Sequence, residues 1–127
     1  MKKFYFFVLI AGGVWWYASQ RFNLSDAMSF AHKHSGASWA PAAEYSIGMV
    51  YYQSADYQKA QEAFTQLLTD FPTGQYEGRA LLRLSEAAEE NLDYATAKET
   101  VARYLEEFPD GPDRKIAERR KELLYNR

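Results

Sequence analysis

The 127 residues contain no cysteine, which excludes disulfides, thiolate metal sites, a cysteine nucleophile and a lipid-bearing cysteine within them. Nor is there a glycine-rich phosphate loop, a His-Glu zinc spacing or a nucleophile elbow. Serines and aspartates are present, but no spacing among them activates a nucleophile, so no enzyme, cofactor or small-molecule substrate is expected. Positive charge is not in excess. Lys and Arg number 15 against 17 Asp and Glu, for a net charge of −2, and a nucleic-acid binder needs a broad basic face. Histidine is scarce too: His32 and His34 are the whole supply. Two positions apart on a helix they point about 200° away from each other, so one ion cannot take both. With Asp26 and Glu44 as the nearest carboxylates along the chain, no metal site is expected.

Aromatic residues are abundant, at 17%, and seven of them crowd the first 17 positions. "MKKFYFFVLIAGGVWWYASQRF" carries two lysines and then an uncharged run to Gln20. Its strictly apolar part, Phe4 to Ala18, would make roughly 22 Å of helix. A hydrocarbon core is about 30 Å thick, so a span requires extension through Phe22 with Lys2, Lys3 and Arg21 reaching to the headgroups. On that reading residues 1–22 are a transmembrane signal anchor. Phe4, Phe7, Leu9, Gly12, Trp15, Trp16 and Tyr17 then meet lipid or a neighbouring helix, with the Trp and Tyr rings at the far interface. A cleaved secretory signal is the alternative. Tyr17-Ala18-Ser19 places a bulky ring where a small residue is wanted, and cleavage after Ala11-Gly12-Gly13 leaves a chain opening on Val-Trp-Trp. The lysines predict a cytoplasmic N-terminus and an exported C-terminal part.

From Ser54 the chain reads "SADYQKAQEAFTQLLTDFP", and 37 residues later "NLDYATAKETVARYLEEFP". In the first copy Tyr57, Ala60, Phe64, Leu67, Leu68 and Phe71 recur at 3-and-4 spacing, which is an amphipathic helix. Asp56 stands where an N-cap carboxylate accepts the unpaired first-turn amides, and Pro72 disfavours helical geometry at Phe71. Asp93, Tyr94, Ala97, Val101, Tyr104, Leu105, Phe108 and Pro109 repeat the pattern. Each of these helices is preceded by another: residues 41–54, opened by Pro41, and 77–91, with Ala80, Leu81, Leu84, Ala87 and Ala88 on one side. Self-similarity of this kind means stacked helix pairs, because a single pair cannot bury its apolar face.

The first unit resembles a tetratricopeptide repeat (TPR). Ile47-Gly48, Tyr51, Tyr57, Ala60, Phe64 and Pro72 fall on that family's Leu-Gly, Tyr, Tyr, Ala, Phe and Pro positions, and Gly48 with Ala60 allows close helix approach. In the second unit Leu84, Tyr94, Ala97 and Pro109 match, while Ser85 replaces the Gly, Ala88 the Tyr and Val101 the Phe. The flavour is similar to bacterial envelope members of the BamD and CpoB type, although this sequence has no cysteine to carry a lipid. The resemblance implies an all-α solenoid with the first helix of each unit lining a groove for a protein partner. Carried over, the groove comprises Ala42, Tyr45, Met49, Tyr52 and Gln53 from one unit and Arg79, Leu82, Glu86, Glu89 and Glu90 from the next. Two plainer readings compete: residues 25–34 could fold over Tyr45 and Met49, and Arg79, Arg83, Glu86 and Glu90 could simply neutralise one another.

The expected organisation is an anchor (1–22), a linking helix and loop (23–40), repeats at 41–74 and 77–111, and a capping helix (112–127). Residues 56–110 carry a net −7 and residues 111–127 a net +3. Within the last segment Arg120 interrupts the Ile116–Leu123/Leu124 stripe and should pair with an acid of the preceding helix or of a partner. The function expected is a membrane-anchored periplasmic scaffold in an envelope assembly, single-pass in the bacterial inner membrane, with protein partners and no nucleic acid. The alternative is an accessory subunit of a larger integral-membrane complex, bound through its aromatic N-terminal helix.

Overall fold

A computed structural model describes the backbone of residues 2–21 and 24–127 and the side chains of 4–16 and 24–127. Among these residues there are seven helices and no strand: α1 (Lys2–Arg21), α2 (Leu24–Lys33), α3 (Ala40–Gln53), α4 (Tyr57–Asp70), α5 (Glu77–Glu90), α6 (Tyr94–Glu107) and α7 (Arg114–Tyr125). The chain is all-α, with the successive packing α2 on α3, α3 on α4, α4 on α5, α5 on α6 and α6 on α7 that a TPR-like solenoid makes.

Local chemistry explains the element ends. Asp56 accepts the Lys59 amide at 3.4 Å, and Asp93 accepts the Thr96 amide at 3.2 Å, so both second helices are capped by carboxylates. Both close at Phe-Pro, where the Phe71 and Phe108 amides still reach Leu67 and Tyr104 carbonyls at 2.8 Å. The turns inside the units share a device that the sequence does not advertise. Asp56 N–H donates to the Tyr51 carbonyl and Ala55 N–H to the Tyr52 carbonyl, and the same pair of bonds joins Asp93 to Ala88 and Leu92 to Glu89. This is a Schellman ending, normally built on glycine. Here Ala55 and Leu92 adopt it, at φ of 61° and 62°.

The helix starts at Ala40, Glu77 and Arg114 are 37 residues apart, and the ends of α2, α4 and α6 at Lys33, Asp70 and Glu107 keep the same interval. Thus α2 occupies the place of a second helix preceding the first unit, and α7 that of a first helix following the second. In α7 Ala117 and Leu124 are buried, whereas Ile116 and Leu123 of the expected core-facing stripe are exposed. The core runs between the units through Phe64, Leu67, Leu81, Val101 and Tyr104.

The expectation of a membrane-spanning helix fails: among the described residues no helix is long and apolar enough to cross a membrane. The 20 residues of α1 would measure about 30 Å, but only by including the polar ends Lys2, Lys3, Gln20 and Arg21. Between them Gly12, Gly13, Trp15 and Trp16 supply little hydropathy. Phe4, Phe7, Leu9, Trp15 and Trp16 are exposed along α1. The expectations placed on Met1, Phe22 and the side chains of Lys2, Lys3, Tyr17 and Arg21 lie outside the described residues.

Candidate functional site

Tyr45, near the middle of α3, is the pivot of the face shared by α3 and α5. Its ring lies 5.9 Å from Phe64 and 5.3 Å from Tyr76, and Arg79 places its guanidinium 5.9 Å from the Tyr76 ring. Leu82, Arg83 and Glu86 continue the wall along α5, and Asp113 and Ile116 at the start of α7 close the far side of a depression of about 310 Å³. Asp113 is positioned from below, its amide donating to the Tyr104 hydroxyl at 3.1 Å. Gly111 makes that approach possible, because a Cβ there would stand 2.6 Å from the same hydroxyl.

Of the residues that the resemblance implies for a groove, Tyr45, Arg79, Leu82 and Glu86 line this depression. Arg83, Asp113 and Ile116 join them. Arg83 was visible only as a charge on the same helix, and the α7 pair only as a cap. The other expected groove residues do not line this depression. Met49 packs half-buried against the core. Tyr52 meets Tyr57 edge to face at 5.4 Å, and burial, then the charges of Glu86 and Glu90, push its hydroxyl above the usual range. Gln53 and Glu90 are exposed, and Ala42 is half-buried. Glu89 accepts from Arg120 at 2.8 Å, and Arg120 also reaches Ser85 Oγ at 3.4 Å. Arg120 thus finds an acid on α5, one helix further back than the preceding helix.

The lining is electrically mixed: two cations, Arg79 and Arg83, and two acids, Glu86 and Asp113. One of the expected neutralising pairs is made, Arg83 to Glu86 at 2.9 Å. The covering role expected of α2 goes elsewhere. That helix sits beside Tyr51, Lys59 and Gln66 on the opposite flank, where Met28 is buried.

On that flank the chain assembles a second group of ionisable residues. Asp70, at the end of α4, receives His32 of α2, with Nδ1 3.0 Å from both carboxylate oxygens. Glu44 of α3 lies beneath them, fully buried, its Oε1 accepting from Gln66 Nε2 at 2.9 Å. Burial, then the neighbouring Asp70, pushes the Glu44 carboxyl up to about 7. The hydrogen bond to Asp70, then its charge, raises the His32 imidazole. Burial works against Asp70, but its bonds to Glu44 and His32 outweigh that and hold it below its ordinary value. His34 takes a separate course, bonding the Phe30 carbonyl at 2.9 Å and lying 4.2 Å from the Phe30 ring. Sequence reasoning weighed Glu44 against the histidines but missed Asp70, 38 residues away from His32, since only the packing of both α2 and α4 on α3 brings them together.

Residues 39–118 match the family described as YfiO, outer membrane lipoprotein. No curated protein matches the chain. The expected placement as a single-pass inner-membrane protein is thereby overturned twice, by the want of a membrane-capable helix among the described residues and by a family described as belonging to the outer membrane.

Proposed function

The chain belongs to the YfiO family of outer membrane lipoproteins, and from that premise we propose that it is a protein-binding scaffold of the bacterial envelope, without catalytic chemistry of its own. The observation that supports this reading best is the depression between α3, α5 and α7. Tyr45, Leu82 and Ile116 form an apolar floor, and Arg79, Arg83, Glu86 and Asp113 stand around it. A volume of about 310 Å³ suits one or two bulky side chains of a helical or extended segment, with the surrounding charges fixing its direction. Because both signs are present, the partner segment should carry both an acid and a base flanking its apolar anchor.

The test is co-purification followed by mass spectrometry, using the full chain, a form lacking residues 2–22 and exported by a separate signal, and the full chain carrying Arg79→Glu with Ile116→Asp. Neither substituted position is buried, so the fold should tolerate them. The groove reading expects the partner set to survive removal of the N-terminal helix and to be lost with the double substitution. Partners that survive the double substitution, or vanish with the N-terminal helix alone, would overturn it.

A further inference from the structure

We propose that His32, Glu44 and Asp70 form a site for one divalent transition-metal ion of the zinc type, which clamps α2 onto the first repeat. One ligand atom from each residue lies within 4.8 Å of the other two. Ligand atoms around a tetrahedral ion with bonds of about 2.1 Å stand roughly 3.4 Å apart, so only a small contraction is needed. One imidazole and two carboxylates is a donor set that suits zinc, cobalt or manganese, and the nitrogen disfavours magnesium and calcium.

Two further observations point to a cation. Glu44 is fully buried, and its Oε2 accepts from no donor among the described residues, so that the carboxyl bonds the neighbouring Asp70 only by keeping its proton. Such an oxygen is costly unless something positive meets it. The comparison with the second unit shows what is missing. Arg103 of α6 bridges Glu77 and Glu107 at 3.3 Å each. The positions 37 residues earlier than Arg103 and Glu107 are Gln66 and Asp70. The first unit keeps an acid at the Glu107 place, Asp70, but has Ala40 at the Glu77 place, its second acid, Glu44, standing four residues further along α3, and it has a neutral amide where the second unit has a guanidinium. A divalent ion with a neutral imidazole balances the two carboxylates, and Gln66, bonded to Glu44 Oε1 at 2.9 Å, holds the buried ligand in place. Access is open: His32, Gln66 and Asp70 border a depression of about 520 Å³, with room for water as a fourth ligand.

The experiment is calorimetric titration of the chelator-stripped full chain with zinc chloride, accompanied by the visible absorption of the cobalt(II) form. Wild type is expected to bind one equivalent. His32→Gln and Asp70→Asn should each weaken that binding at least tenfold and abolish the tetrahedral cobalt spectrum, Gln66→Leu should weaken it roughly tenfold, and His34→Gln should leave it unchanged. An adventitious ion only, recognised by equal affinity in wild type and His32→Gln or by an equal loss in His34→Gln, overturns the proposal, as does the absence of a one-equivalent site. If Asp70→Asn does not fold, His32→Gln decides the matter, because His32 is exposed and its substitution removes a ligand without opening the core.

Discussion

Gly48→Ala sets two opposed effects against each other at one atom. Gly48 lies in the interior of α3, where replacing glycine by alanine ordinarily stabilises a helix by about 1 kcal/mol. Here the added Cβ would stand 2.6, 2.9 and 2.9 Å from three carbons of the Phe64 ring. Ordinary carbon contacts are about 3.5–4.0 Å, so the ring would have to recede by about 1 Å. It has nowhere to go, since Phe64 is fully buried. Overpacking of this severity costs up to about 3 kcal/mol, which leaves a net destabilisation of about 2 kcal/mol. The second unit shows the alternative solution to the same packing problem. There Ser85 takes the glycine position, Val101 takes the ring position, and the Ser85 hydroxyl donates to the Ala97 carbonyl at 2.9 Å. Phe64→Val alone should cost about 3 kcal/mol through the cavity it leaves, yet combined with Gly48→Ala it should cost less than the sum by at least about 1 kcal/mol. Urea unfolding of the full chain and the three variants, followed by circular dichroism, measures the cycle. A Gly48→Ala protein as stable as wild type, or a coupling indistinguishable from zero, would refute the claim that this glycine is a packing requirement.

Other expectations concern charge and backbone. In the presence of a chelator, Glu44→Gln should flatten the dependence of stability on pH. With a folded value of about 7 and an ordinary value of 4.5, the neutral Glu44 carboxyl favours folding fully below 4.5 and loses that advantage as pH rises to 7. The variant should therefore match wild type near pH 5 and exceed it by roughly 1–3 kcal/mol at pH 8, and parallel profiles would contradict the account. Leu92→Gly should stabilise by about 1 kcal/mol in thermal or urea melts, since it relieves a left-handed conformation at a residue that is 72% exposed. A double-substitution cycle on Glu89 and Arg120 should give a coupling above about 1 kcal/mol. The exposed pair Arg114 and Glu118, 2.9 Å apart, should give less than about 0.5 kcal/mol in the same assay.

What could be read from the chain was whatever is local and periodic. The N-cap aspartates and the Phe-Pro endings rest on patterns within a turn or two of one helix, and the recurrence at 37 residues is those same patterns met twice. Gly48 and Ala60 were legible because their smallness recurs at fixed places in a known repeat. The left-handed Ala55 and Leu92 were not, since neither residue type favours that conformation and only the two flanking helices impose it. Four of the expected groove residues line one depression. Tyr45, Arg79, Leu82 and Glu86 are among the positions that the family resemblance implies, but Asp113 and Ile116 depend on how far α7 leans towards α3, and Glu89 was claimed by Arg120 across two helices. The anchor reading failed on a sum: an apolar run of 15 residues looked extendable, but extension adds polar and charged ends to a run that already holds paired glycines, and no helix among the described residues is then apolar enough to span.

The two repeats also supply a control for their own difference. At one position the chain has glutamine in the first unit and arginine in the second, and the consequences differ in kind. Arg103 pairs with Glu77 and Glu107 from within its unit and offsets part of the rise that burial and Glu107 impose on the Glu77 carboxyl. Gln66 can hold Glu44 but cannot neutralise it, so the first unit recruits the His32 imidazole of α2 to its acids. Docking of α2 is thereby made to depend on charge supplied across a helix boundary, which the second unit does not require. Gln66→Arg should give the first unit a guanidinium at the Arg103 place, facing an acid four residues further along the first helix than Glu77 is in the second. The guanidinium would meet Glu44 and Asp70 directly and draw the Glu44 carboxyl down towards its ordinary range. The pH-dependent loss of stability between 4.5 and about 7 should then shrink, and His32→Gln should become nearly neutral to folding in that background. Urea titrations at pH 5 and pH 8 separate the possibilities. If His32→Gln costs the same in wild type as in the Gln66→Arg variant, the imidazole is a surface neighbour of Asp70 and not a countercharge that the glutamine makes necessary.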